Sequence, residues 1–135
     1  MNKIDQMRQI EAVTDARYQQ QQQSFQRLVS EENRLRSELM KLDAHLKEAR
    51  SAQVEFEMTA LGADIIWQAW VGKRKAELNM KLAQVLSIKE HHLKQVRTAY
   101  GKLLVARELL SDAMKSQGEK RAQSALLRAI EMSLD

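Results

Sequence analysis

Residues 25–56 read FQRLVSEENRLRSELMKLDAHLKEARSAQVEF, and the spacing of their apolar side chains decides the fold. Stepping alternately three and four residues from Phe25 lands on Leu28, Glu32, Leu35, Leu39, Leu42, Leu46, Ala49, Gln53 and Phe56. Only Glu32 and Gln53 break this row. A seam kept over several heptads predicts a coiled coil and not a singly amphipathic helix. Towards the N-terminus the row thins: Ile4, Met7 and Tyr18 keep it, while Glu11, Thr14 and Gln21 interrupt it. Gln19 to Gln23 form a glutamine run; Gln is a good helix former, so the run predicts a loosely packed helical stretch, with the first turns of the helix frayed.

The second half of the chain repeats the design. Positions 82, 86, 89, 93, 96, 100, 103, 107, 110 and 114 carry Leu82, Leu86, Leu93, Val96, Tyr100, Leu103, Leu110 and Met114, with Lys89 and Arg107 as exceptions. Between the seams, Gly62 is expected to take a left-handed conformation that ends one helix, and Asp64 to cap the next. A fold-back symmetric about the Ala60–Leu61 bond sets Glu32 against Lys89, Gln53 against Gln68, Leu39 against Leu82, Leu35 against Leu86, Leu28 against Leu93, Phe25 against Val96 and Met7 against Met114. The polar exceptions thus meet suitable partners, and a slipped register would leave Glu32 or Lys89 facing leucine.

The expected fold is therefore all-α: a long two-helix antiparallel coiled-coil hairpin forming one domain. Arm one spans about residues 3–58, the tip about 59–63, arm two about 64–117 and a C-terminal extension about 118–135. Each arm would measure roughly 80 Å at the α-helical rise of about 1.5 Å per residue. Composition agrees: the 135 residues include no proline, no cysteine and four glycines, and helix formers dominate. The extension contains Gly118, which disfavours helix, and an apolar group of Leu126, Leu127, Ile130 and Leu134. A parallel dimer of long helices is the competing arrangement, and the monomeric hairpin is preferred because short connections join adjacent antiparallel elements.

The chemistry that these residues exclude is extensive. Without cysteine there is neither a disulfide framework nor a thiolate metal site. His45, His91 and His92 are too far apart in the fold-back to share a metal and read as solvated. No phosphate loop, nucleophile elbow or HExxH occurs, and a thin hairpin offers no concavity, so no catalysis, cofactor or metal is expected. Neither a secretory signal nor an apolar run near the roughly 20 residues of a membrane span is present, which points to a cytoplasmic chain without membrane insertion.

Charge is the more informative property. The net charge is +4, and the excess lies in the second half, where the basic residues between Lys73 and Arg107 face only Glu77 and Glu90. An acidic partner surface follows. Lys73, Arg74 and Lys75 beside Trp67 and Trp70 superficially resemble a nucleic-acid patch, but lysines flanking a helical core commonly snorkel over apolar neighbours. Leu61, Ile65, Ile66, Trp67, Trp70 and Val71 crowd more large apolar side chains around the tip than one seam buries, as a binding hot spot does.

With its tip MTALGADIIWQAW (58–70), the following basic helix KRKAELNMKLAQV (73–85) and the later VRTAYGKLLVARELL (96–110), the chain resembles the flagellar FliJ-like family of central-stalk proteins of type III export machines. The resemblance implies a cytoplasmic stalk, peripheral at the inner-membrane export apparatus, that couples a hexameric export ATPase to the export gate and also meets export chaperones. On that reading Leu61, Ile65, Ile66, Trp67 and Trp70 offer the gate-side contact. Arg8, Arg17, Lys120, Arg121 and Arg128, toward the open end, would meet acidic loops of the ATPase pore. A self-associating structural or adaptor coiled coil is the alternative.

Overall fold

The structure is a computed structural model that describes residues 2–53 and 61–134, except for the side chains of 52, 53, 61 and 63. It contains two helices and, among the described residues, no strand: α1 is Lys3–Gln53 and α2 is Leu61–Leu134. They pack against each other as an antiparallel helical hairpin. Asn2 begins α1 as an N-cap, its Oδ1 accepting a hydrogen bond from the Asp5 backbone N–H at 2.8 Å. That contact satisfies one of the amides that a helix start leaves without a partner. The helix is regular from Lys3 onward and runs without a break through Gln19–Gln23, so neither the glutamines nor the first turn interrupts it.

Two compact units are distinguished. One comprises Ser24–Leu93, and the other comprises Met1–Gln23 with Lys94–Asp135. In the first, Leu35, Leu78 and Leu82 form a buried cluster, with Leu39, Leu42 and Val85 packed on it. Lys89 Nζ donates to Glu32 Oε1 at 2.6 Å, so the two seam exceptions do meet. Arg74 reaches Glu38 at 3.4 Å and Lys75 reaches Asp43 at 2.7 Å; compared with Glu32–Lys89, both acids lie further along α1 and both bases further back along α2, the mark of antiparallel pairing. In the second unit Leu103, Ala99, Ala106 and Ala113 are buried. Tyr18 and Tyr100 lie with ring centroids 5.2 Å apart, and Arg107 approaches Glu11 and Asp15 at 3.8 and 3.9 Å.

The seam of α1 follows the expected row from Ile4 to Ala49. That of α2 does not. Leu82, Lys89, Val96, Leu103 and Leu110 face inward as expected, but Val85, His92, Ala99, Ala106 and Ala113 occupy the alternate positions expected of Leu86, Leu93, Tyr100, Arg107 and Met114. Leu86 is only partly covered and Tyr100 and Met114 are exposed, whereas Ala106 is 2% exposed. The pairings of Leu35 with Leu86 and Met7 with Met114 are corrected accordingly, to Leu35 with Leu82 and Val85, and to a buried Ala113. Two helices in direct contact leave little room between their axes, so alternate layers take small residues while the larger neighbours lie against the flank.

The helix ends are also corrected. Gly62 lies in the first turn of α2, and no described residue has a positive φ, so it is not a left-handed stop. Asp64 is likewise inside that first turn, where a carboxylate favours the positive end of the helix dipole, and is not the cap. Residues 54–60, including the expected end of arm one and positions 59 and 60 of the tip, lie outside the described residues, as does the Gln53 side chain of the Gln53–Gln68 pair. The extension is settled: α2 continues unbroken through Gly118 to Leu134.

Candidate partner-binding surfaces

At the start of α2, the helical repeat sorts the apolar residues by face. Val71 turns inward and is 3% exposed, so it belongs to the core and not to the tip patch. Trp67 is half-buried, while Ile65, Ile66 and Trp70 stand out at 61%, 72% and 56% exposure. The Leu61 side chain lies outside the described residues. Trp67, Trp70 and Val71 form one wall of a groove of about 290 Å³, with Leu42, His45 and Lys41 of α1 opposite and Glu38, Arg74 and Leu78 at its end.

Leu42, His45 and Lys41 had not been associated with the patch. The signal was the register. A fold-back about Ala60–Leu61 sets Trp70 against Ser51, whereas Trp70 lines the groove with Leu42 and His45, deeper along α1.

Ion pairing around the groove consumes the acids first. Glu38 serves Arg34 and Arg74, and Asp43 serves Lys75. Exposed pairs of this kind contribute little stability individually, but they fix which charges remain. Lys41 and Lys73 have no ion pair among the described residues.

Glu32 is well enclosed, its side chain 12% exposed between Lys89 and Arg36. The hydrogen bond from Lys89, and then that from Arg36, hold its carboxyl below the usual glutamate range. A carboxyl with a lowered folded-state pKa contributes stability that is full above its unfolded-state pKa and is lost as pH falls through the folded one. Thermal melts followed by circular dichroism should therefore show the melting temperature dropping as pH falls through and below the carboxylate range, about 4.3 for an unperturbed Glu. Glu32→Gln should flatten that drop while lowering the melting temperature at neutral pH; an unchanged slope would show that the pair does not contribute.

At the other unit's end, Arg8 and Arg121 line one shallow hollow of about 310 Å³ with Asn2, Ile4, Met114 and Gly118. Lys120 lies on a neighbouring hollow with Lys3 and Ser116. Arg17 sits further along α1, and Arg128 stands on α2 beyond these hollows. All five cations are exposed, and none is ion-paired with a described residue. Arg8, Lys120 and Arg121 are thus gathered at the N-terminus of α1, and Arg17 and Arg128 are not part of that group.

The histidines divide. His45 and His91 are exposed, but His92 occupies a seam position and its Nδ1 is buried without a hydrogen-bond partner, so the solvated reading fails there. Among the described residues no three His, Asp or Glu side chains are grouped so as to hold a metal ion, and no helix is long and apolar enough to cross a membrane. No family model, curated protein or solved structure matches the chain. Assignment of function therefore rests on the surfaces themselves.

Proposed function

We propose that the chain is a non-enzymatic, protein-binding stalk of a flagellar or related type III export apparatus, coupling a hexameric export ATPase to the export gate. The observation that carries this reading is the exposure of Ile65, Ile66 and Trp70 beside a preformed apolar groove, on a hairpin whose seam is already filled. Large apolar side chains grouped at one end of a helix pair mark a contact for another protein, because burial there is what makes aromatic residues binding hot spots. Arg8, Lys120 and Arg121 give the α1 N-terminal end a cationic character suited to acidic loops. Resemblance to the central-stalk family supplies the identity of the partners; the hairpin is compatible with that resemblance and supports no narrower assignment.

The test separates the two ends. Ile66→Asp with Trp70→Ala should leave the melting temperature within a few degrees of the parent, because neither residue is in the seam, and should abolish pull-down of the export-gate protein while retaining that of the ATPase. Reversal of Arg8 and Arg121 to Glu should do the converse. Retention of both interactions in both variants, or full motility in a strain lacking the gene, would contradict the proposal.

A further inference from the structure

Beyond Gln117, α2 changes its pattern. The seam row of α2 continues in sequence through Lys120, Ser124, Leu127, Glu131 and Leu134, of which only Leu127 and Leu134 are apolar, while Leu126 and Ile130 lie beside it. Helix α1 begins at Lys3, alongside Ala113 to Lys120, and none of its described residues covers this stretch. Every described residue from 118 to 134 is exposed, including those four apolar ones. This overhang therefore carries an apolar group that no described residue covers.

We infer that the overhang pairs antiparallel with the same segment of a second copy of this chain. Charge and symmetry on this segment favour that occupant. Gln123, Leu127, Ile130 and Leu134 are spaced four, three and four residues apart, the spacing of a two-helix seam. In the antiparallel register that sets Leu127 of one copy opposite Ile130 of the other, Leu134 meets Gln123, and every seam position is matched twice about the two-fold axis. Arg128 and Glu131 then lie along the same edge, so that each Arg128 reaches across to the Glu131 of the other copy. Neither residue has an ion pair within its own chain among the described residues, and a two-fold contact forms this one twice. The segment 118–135 has as many acidic as basic residues, which disfavours an anionic lipid surface as its occupant.

The inference does not depend on the export function. It adds a second, intermolecular helix pair to the intramolecular one, and Arg128 cannot serve the dimer and an acidic partner loop together. Partner engagement at this end is then expected to compete with self-association.

Sedimentation velocity of the full chain over a wide concentration range tests the inference. The parent should show a reversible monomer–dimer equilibrium. Ile130→Asp or Leu127→Asp should weaken it at least 100-fold with an unchanged melting temperature, since the overhang does not touch the seam. Arg128→Glu alone should weaken it at least 10-fold, and Arg128→Glu with Glu131→Arg should restore it, an outcome that general loss of helicity cannot mimic. A parent that stays monomeric throughout, a dimer that survives Leu127→Asp and Ile130→Asp, or a charge swap that fails to rescue would each overturn the inference. Loss of the dimer would leave pull-down of the export gate through the groove residues unaffected, so this failure is distinguishable from failure of the export reading.

Discussion

Replacing Leu35 by Ala should lower the unfolding free energy by about 3 kcal/mol, within the usual range of about 2–5 for a fully buried leucine. Leu35 is 0% exposed and is wedged against Leu78 and Leu82 of the other helix, in a cluster that draws on few residues. Truncation removes apolar contacts from both helices at once, and the backbones cannot close the gap without disturbing the adjoining Glu32–Lys89 pair. Leu86→Ala is the internal control. Although Leu86 appears on the sequence row, it is on the flank of α2, and its truncation should cost about 0.5 kcal/mol. Urea denaturation followed at 222 nm measures both; equal costs would mean that the α2 seam has been misplaced.

The second large effect comes from adding volume. Ala106→Leu should destabilise by about 1–3 kcal/mol, because Ala106 is buried in a layer that two facing helices have closed. Its neighbour Arg107 lies at the edge, within 3.8 Å of Glu11 and 3.9 Å of Asp15, so Arg107→Leu loses only exposed ion pairs, about 0–1 kcal/mol. Were Arg107 the inward residue, as its place in the 3-4 row implied, Arg107→Leu would strongly stabilise the hairpin and Ala106→Leu would be harmless. Thermal melts of the two variants distinguish these cases directly.

The contrast explains how far the sequence could be read. Helix α1 was legible because its flanks are polar or charged: Arg8, Asp15, Gln22, Arg36 and Arg50 on one side leave the Leu-rich row as the only apolar one. Helix α2 carries two parallel apolar rows, and the one with larger residues, Leu86, Leu93, Tyr100 and Met114, drew half of the seam one position too far. Side-chain size is a poor guide where helices approach closely, since alanine then fills the space. The antiparallel register was legible at Glu32 and Lys89 because a pair of opposite charges interrupts two otherwise apolar rows. Near the tip it was not, because Gly62 looked like a helix stop, and a glycine within a first helical turn has the same sequence signature.

The candidate surfaces followed the same division. Exposure of Ile65, Ile66 and Trp70 was foreseeable from local crowding, since six large apolar residues cannot share one face. Removal of Val71 to the core, and recruitment of Leu42, His45 and Lys41 to the groove, depend on how the two helices meet, which local composition does not encode. The buried Nδ1 of His92 is a further feature that only the packed structure reveals.

The central claim is that two apolar stripes of one molecule close on each other with Glu32 against Lys89. Replacing both by cysteine in this otherwise cysteine-free chain, and treating dilute protein with a short bis-maleimide, tests it most directly. Rapid cross-linking at monomer mass, abolished when the second cysteine is moved to the exposed position of Ile88, is the expected result. Cross-linking only between molecules, or equally well from position 88, would contradict the account.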